Sequence, residues 1–460
     1  MEEKEYIKKN NKKEQDNEDK TTKPVYVVMP SEYFDSNLLI EAVNIFAKEG
    51  NTIYVDDSFP ENSVYDKNVE QLRVKDKKNN NEELYRLLSN KNTRILFTLE
   101  TEANHFAKMK KKAPILNKIE SIKNKASFLS LVNTILPKAW YQEVSIKKLK
   151  DMEMPKSSLF LRPLKGFGSK GCVAIENKEE WKEKVSQAIS DAQEGEKVFG
   201  SEVVDSTRYL LTDIYPGEEY AADVFFTEKG EISIVGIYKH LFRDNMDKSD
   251  QTYITSKEIM QEMIPHLEYF LKKLIKRAPR IAGIALHLEF KYANTKQKIQ
   301  IIEGNVCRFG GYGLVHLAAH AYGINPFLLY FRQECMDWKN ILSERDNTVW
   351  TFVLAQHDKK KEDGKHFSMW EAAVKRLGKP LTDITLVKSS PYVMFSAIFA
   401  CKNIEEAKRF GFINFNAYVN VSLTLDDKEK IVKDGIEKWY AHKEEYLLKN
   451  AWYNLPVELA

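Results

Sequence analysis

The sequence predicts a multi-lobe protein of mixed α/β and α+β class, and three observations carry that expectation. At 460 residues the chain exceeds what one hydrophobic core organises, so two or three lobes are expected. Its first hundred residues alternate strand, helix and strand, the pattern of a parallel sheet. From about residue 124 to 330 strands and helices alternate again, now with glycine-rich, hairpin-like turns between several strands.

The elements follow in order. Residues 1–23 have no apolar core, so they read as a disordered polar tail and not as a secretory signal. PVYVVM (24–29) is a strand, NLLIEAVNIFAKEG (37–50) a helix stopped by Gly50, and NTIYVDD (51–57) a second strand. RILFTLE (94–100) adds another strand, which gives an N-terminal α/β lobe over 24–115. Within it KNNNEE (78–83) reads as a solvated loop and KMKKK (108–112) as an exposed helix end. A second unit opens at NKASFLSLVNTILPKAWY (124–141), a helix leading to a Pro-marked strand, and spans 116–335. Residues 336–460 carry no legible motif, but apolar runs such as PYVMFSAIFA (391–400) predict a third, C-terminal lobe.

Composition removes several function classes. The 70 basic and 67 acidic residues nearly cancel, so nothing pulls the whole chain toward nucleic acid or a membrane surface. The aromatic residues interleave with no basic stripe, and no apolar run approaches the roughly 20 residues of a membrane span. Neither nucleic acid nor membrane is therefore expected as a partner. Cys172, Cys307, Cys335 and Cys401 are far apart and form no CxxC pair, which points to a reduced, cytoplasmic compartment.

Three motifs carry chemistry. RPLKGFGSKG (162–171) sits between the strand-like runs SSLFL and VAIE. Its glycines let backbone amides converge into an anion-binding nest, and Ser169, Lys165 and Lys170 add a hydroxyl and positive charge. The spacing is neither GxxxxGK[ST] nor a GxGxxG opening a helix, so the loop is a hairpin lid over phosphates or an ordinary hairpin turn. YLLTDIYPGEEYAADVFF (209–226) turns at Pro216-Gly217. It reads either as a nucleotide hinge, with Glu219 accepting from a ribose, or as a hairpin with solvent-facing acids.

AGIALHLEFKY (282–292) alternates, with Ile284, Leu286, Leu288 and Phe290 on one face and His287, Glu289 and Lys291 on the other. In KIQIIEGNVCRFGGYG (298–313) the same alternation puts Glu303 with Ile299 and Ile301, and Asn305 follows. A carboxylate among apolar neighbours needs a partner. Glu289, Glu303 and Asn305 supply hard oxygen ligands suited to Mg²⁺, and Arg308 stands near enough to neutralise a phosphoryl group. The plainer alternative is a hairpin with a structural Glu–Arg ion pair. His287, one histidine beside one carboxylate, is expected to be structural.

Lysine, Gly-rich strand-loop-strand, PGEE hinge, HLE and IIEGN occur in that order, which resembles the ATP-grasp superfamily, particularly its carboxylate–amine ligases. The resemblance covers roughly residues 115–330. It implies a pre-ATP-grasp-like N-terminal lobe, a two-lobed ATP-grasp fold and a C-terminal extension. It also implies ATP and Mg²⁺, with Mn²⁺ as a substitute, and small-molecule carboxylate and amine substrates such as amino acids or peptides. By the same resemblance Lys125 and Arg162 touch the nucleotide phosphates, although Arg162 stands where lysine is usual. Gly166, Phe167, Gly168, Ser169, Lys170 and Gly171 form the loop over the β- and γ-phosphates. Asp213, Ile214 and Tyr215 form the adenine hinge, and Glu219 binds the ribose. Glu289, Glu303 and Asn305 hold the metal, and Arg308 is the catalytic arginine. Here N-x-x-R replaces the usual N-x-R, so an irregular residue must re-aim Arg308. The implied reaction is amide formation through an acyl phosphate; a phosphotransferase or carboxylase of the same superfamily, or a nucleotide-binding scaffold, is the alternative. A homodimer is compatible with the sequence.

Overall fold

The computed structural model describes residues 24–30, 37–56, 65–72, 80–99, 114–166, 168–201, 203–242, 249–293, 298–360, 381, 385–386 and 392–412. The tail 1–23, the KMKKK run, Phe167 and the polar turn at 294–297 lie outside the described residues.

Strands β1 (Val25–Met29), β2 (Ile53–Asp56), β3 (Glu70–Leu72) and β4 (Thr93–Phe97) form a parallel sheet in the order β3-β2-β1-β4. The inner strand β1 buries Tyr26, Val27, Val28 and Met29, as a strand covered on both faces requires. The helix Asn37–Lys48 packs Leu39, Ala42, Val43 and Phe46 into one cluster with Tyr26 and Val28. KNNNEE is not a solvated loop throughout: from Asn80 it enters the helix Asn80–Ser89. There Leu84, Leu87 and Leu88, spaced i, i+3 and i+4, form a buried stripe that outweighs the polar start.

Strands β5 (Tyr141–Ser145), β6 (Leu159–Pro163), β7 (Val173–Ile175) and β8 (Arg208–Thr212) make an antiparallel sheet in the order β5-β8-β6-β7. The helix Trp181–Phe199 lays Trp181, Val185, Ala188, Ile189 and Ala192 on it. A third, antiparallel sheet holds β9 (Glu218–Phe226), β10 (Ile232–His240), β11 (Thr252–Thr255), β12 (Ala285–Ala293), β13 (Lys298–Val306), β14 (Val349–Lys360), β15 (Thr385–Leu386) and β16 (Tyr392–Cys401). Its order is β13-β12-β9-β10-β11-β14-β16-β15. The stretch expected as a separate C-terminal lobe thus lends three strands to this sheet, and a boundary at 335/336 divides one sheet in two. The helix Lys257–Arg277, capped by the Ser256 hydroxyl, buries Met260, Met263, Leu267, Phe270, Leu271 and Leu274.

β8 and β9 do not pair as a hairpin. They belong to different sheets, and residues 213–217 cross between them. Gly217 makes the crossing possible: its φ is +101°, and a Cβ there would lie 2.3 Å from the Tyr292 carbonyl oxygen. The parallel sheet is tied to the third by a bridge between Phe97 and Arg308, in which the Phe97 N–H donates to the Cys307 carbonyl at 2.6 Å. Among the described residues no helix is long and apolar enough to cross a membrane.

Candidate active site

The site grows from the β12–β13 hairpin. Glu289 and Glu303 stand directly opposite each other, while Phe290 pairs with Ile301, so Ile302 is an extra residue on β13. This bulge overturns the expected facing of Glu303. Instead of sharing a face with Ile299 and Ile301, Glu303 turns to the side of Glu289, because one inserted residue reverses a period of two. Asn305, opposite His287, then falls beside both acids: its Nδ2 lies 3.2 Å from Glu303 Oε1 and 3.5 Å from Glu289 Oε1.

Two cations come to Glu303 from other elements. Lys125 opens the helix Lys125–Val132, whose first turn is capped by Asn124 accepting from the Ser127 N–H. Gly304 lets that helix close on β13, since a Cβ there would sit 2.8 Å from the Phe128 ring. Lys125 Nζ thereby reaches Glu303 Oε2 at 2.9 Å. Arg162, on β6 and only 3% exposed, donates from Nη2 to the carbonyl of the bulged Ile302 at 3.0 Å. Its Nη1 lies 4.0 Å from Glu303 Oε2. The bulge therefore frees a carbonyl, and Arg162 satisfies it across two sheets.

These placements set the charge states. Burial would push the Glu303 carboxyl up, but Lys125, Arg162 and the Asn305 amide outweigh it and hold it below the usual carboxylate range. Glu289 lies well above that range, raised by burial and then by repulsion from Glu303, Glu219 and Asp250. Glu219 accepts from His240 Nδ1 at 3.3 Å and lies 3.8 Å from Lys291 Nζ. Burial pushes it up as well, yet His240 and Lys291 hold it low.

Arg308, 7% exposed, reaches the same place in spite of its unusual spacing. Cys307 takes the left-handed conformation at φ +58°, which bends the chain immediately after β13. That residue supplies the irregularity the spacing demanded. His287 lines the cavity and is held from behind: its Nδ1 donates to Asp223 at 2.8 Å, and its Nε2 lies 3.8 Å from Glu289. Asp223 itself went unnoticed in the sequence, although a carboxylate inside the apolar run YAADVFF is a signal. It is fully buried and also accepts from the Tyr238 hydroxyl at 3.0 Å and the Gly310 N–H at 2.7 Å.

One cavity of about 190 Å³, partly open to solvent, is lined by Lys125, Arg162, Glu219, Glu289, Glu303, Asn305 and Arg308. Gly166, Gly168 and Ser169 border it, and the last two are left-handed at φ 57° and 55°. Lys170 and Gly171 are not among the lining residues. Gly171 is wedged on the helix Trp181–Phe199, where a Cβ would meet Ala192 at 2.8 Å, and Lys165 pairs with Glu120 at 3.3 Å. Asp213, Ile214 and Tyr215 also stand apart from the lining. Asp213 accepts from the Trp140 N–H at 2.9 Å and pairs with Lys156, Ile214 is exposed, and Tyr215 is buried with its hydroxyl unpartnered.

The donor set fits a divalent cation. Two adjacent carboxylates repel, and the Asn305 amide N–H now supplies the positive edge between them; a half-turn of that amide presents Oδ1 and completes three oxygen donors. Among the described residues no three His, Cys, Asp or Glu side chains group as metal ligands. Mg²⁺ is bound in this way where substrate phosphates complete its shell.

A family model described as an ATP-grasp domain matches residues 156–316. This segment is an ATP-grasp domain. Every candidate residue from Arg162 to Arg308 lies within it, and Lys125 lies outside. The domain's neighbours among solved structures include L-amino acid ligase from Bacillus licheniformis, at 13% identity over 85% of this chain and 97% of that one, with a TM-score of 0.55. Carboxyaminoimidazole ribonucleotide synthase from Aspergillus clavatus, complexed with ATP, matches at 14% identity over 86% and 98%, also with a TM-score of 0.55. An N5-carboxyaminoimidazole ribonucleotide synthetase in its ADP complex matches at 17% identity over 90% and 99%, with the same TM-score of 0.55. At these identities the likeness is one of fold. No curated protein matches the sequence.

Proposed function

We propose that the protein binds ATP in this cavity and transfers the γ-phosphoryl group to a substrate carboxylate. An amine then attacks the acyl phosphate, giving an amide, ADP and phosphate. The observation that carries this reading is the convergence of Lys125, Arg162 and Arg308 with the Glu289–Glu303 pair and Asn305 in one cavity bordered by a glycine loop. A carboxylate attacking a polyphosphate brings two anions together, and fixed cations offset that repulsion only where water is excluded.

Lys125 and Arg162 hold the phosphates, and Arg308 faces the group in transfer. Glu219, which lines the cavity, takes the ribose, and the backbone of 213–215, which stands outside that lining, is assigned the adenine edge by the family resemblance alone. The Gly166–Gly171 loop closes over the β- and γ-phosphates. Glu289, Glu303 and Asn305 hold Mg²⁺, which supplies charge neutralisation and orientation of the phosphoryl group; Mn²⁺ suits the same donors. No covalent enzyme intermediate is required: Cys307 is buried, and Cys172, which lines the cavity, is given no nucleophilic role.

The test is phosphate release from MgATP with pooled amino acids and dipeptides, with mass spectrometry of the products and Glu303→Gln as control. A pool-dependent signal, a new amide and loss of both in the variant are expected. ADP formed without an amide would move the reading to another ATP-grasp chemistry. Absence of nucleotide binding would leave only a scaffold.

A further inference from the structure

One charged group behind the cavity takes no part in the proposed reaction. On β9 the residues Glu219, Ala221, Asp223 and Phe225 share one face by the strand's period of two. Glu219 lines the cavity, Phe225 packs in the cluster with Phe309 and Tyr330, and Asp223 lies between them with no exposed surface. An apolar residue would fill such a place more cheaply, because a buried carboxylate must replace its lost hydration with fixed donors. Asp223 is not among the lining residues; His287, Arg308 and Gly311 are.

The two oxygens of Asp223 have different tasks. Oδ2 accepts from the Tyr238 hydroxyl at 3.0 Å, and β10 is shaped for that contact. β10 bulges between Ile234 and Gly236, which puts Gly236 directly opposite Asp223. A Cβ at 236 would lie 2.6 Å from the Tyr238 hydroxyl oxygen, so glycine leaves the space that the hydroxyl fills. Burial and then the Asp223 charge raise the Tyr238 hydroxyl well above its usual range, which keeps it a donor. Oδ1 accepts from His287 Nδ1 at 2.8 Å and from the Gly310 N–H at 2.7 Å. One atom thus joins β12 to the turn that follows β13.

That turn aims Arg308. At its start the Cys307 N–H donates to the Ala285 carbonyl at 2.7 Å, and the Cys307 carbonyl accepts from Phe97 at 2.6 Å. At its far end the Gly310 N–H is held by Asp223. Arg308 Nη1 donates to the Phe309 carbonyl at 3.1 Å, so the guanidinium follows the backbone between these two anchors. Loss of the Gly310 bond would release the far anchor. We infer that Asp223 is a positioning residue: by holding Gly310 and His287 on one oxygen, it fixes the Arg308 guanidinium toward the γ-phosphate without touching nucleotide or metal. A fully satisfied buried network of this kind rigidifies what it joins. The inference rests on the reading of Arg308 as the group that faces the phosphoryl in transfer.

The test is calorimetric binding of ADP and of a non-hydrolysable ATP analogue, each with Mg²⁺. The proteins are wild type, Asp223→Asn, Tyr238→Phe, Arg308→Ala and the Asp223→Asn/Arg308→Ala double variant. Asparagine keeps the shape of Asp223 but accepts more weakly, so Asp223→Asn should weaken the analogue roughly 10-fold and leave ADP unchanged. Tyr238→Phe removes only the Oδ2 bond; it should lower the unfolding temperature and keep the preference for the analogue over ADP. With Arg308 already gone, Asp223→Asn should cost the analogue nothing further. Equal weakening of ADP and analogue, an unchanged analogue in Asp223→Asn, or a loss that persists in the Arg308→Ala background would each overturn the inference. Hydrogen exchange on the wild type gives a second reading: the Gly310 amide should be strongly protected, and free exchange there would overturn the inference as well. An Asp223-dependent preference for the analogue, with no amide formed from any amino-acid or dipeptide pool, would keep the positioning role and remove the ligase. Amide formation with a preference indifferent to Asp223→Asn would do the opposite.

Discussion

Gly304, the middle residue of E-G-N, is the point where packing and chemistry meet. Its substitution by alanine tests whether the closure of a helix on β13 builds the Lys125–Glu303 pair. A Cβ at 304 would lie 2.8 Å from Phe128 Cε1, 3.0 Å from Phe128 Cζ and 3.0 Å from Ile122 Cγ2. Ordinary carbon contacts are ~3.5–4.0 Å, so these groups must retreat by roughly 0.5–1 Å. Phe128 and Ile122 are each only 1% exposed, so any retreat has to be taken up by the packed core around them. Overpacking of this kind costs about 1–3 kcal/mol. The φ at 304 is not left-handed, so the cost is steric alone. Because Lys125 is in the same helix as Phe128, the retreat also stretches its 2.9 Å contact with Glu303. Gly304→Ala should therefore lower unfolding stability by about 1–3 kcal/mol in urea and weaken Mg–nucleotide binding several-fold. Phe128→Leu alone should cost on the order of 1 kcal/mol but, combined with Gly304→Ala, restore part of both losses. A Gly304→Ala protein within about 0.5 kcal/mol of wild type, or a pair of strictly additive effects, would refute this account.

Other consequences follow from single contacts. Gly217→Ala places a Cβ 2.3 Å from a backbone carbonyl at φ +101°, so it should destabilise the fold by more than about 2 kcal/mol, read by thermal or urea unfolding. Glu49 receives hydrogen bonds from Arg332 Nε at 3.1 and 3.2 Å, which hold its carboxyl below the usual range. A depressed carboxyl contributes stability above its unfolded pKa and loses it as pH falls through the folded value. The pair is largely solvent-exposed, so Glu49→Gln should cost well under about 1 kcal/mol at pH 7. The difference from wild type should shrink as pH falls from the ordinary carboxylate range through the lowered folded value, and a gap that persists in strong acid would contradict the pairing.

Much of this protein is legible in its residues. The strand-helix-strand opening, the glycine loop between β6 and β7 and the facing of Glu289 all follow from local period and turn chemistry. Local pattern failed where an irregularity or a distant partner decided the outcome. An extra residue at Ile302 is invisible to strict alternation, and it moves Glu303 to the other face. The partners of Glu303, Lys125 and Arg162, are 178 and 141 positions away, and nothing local announces them. The pairing of β11 with β14 likewise joins the C-terminal segment to the sheet that carries Glu289 and Glu303 without a motif. The helix Asn80–Ser89 is obscured for the opposite reason: its polar first turn has the composition of a loop, and only the leucine stripe behind it marks a helix.

The central claim is that a substrate carboxylate attacks ATP in the cavity shared by Lys125, Arg162, Glu289, Glu303, Asn305 and Arg308. Isotope transfer tests it most directly. With a substrate carboxylate labelled with ¹⁸O, turnover should deliver one labelled oxygen to the released phosphate, in step with amide formation, and Glu303→Gln should abolish both. Amide or ADP formed with unlabelled phosphate would mean that the carboxylate is not the phosphoryl acceptor, and the acyl-phosphate account would fail.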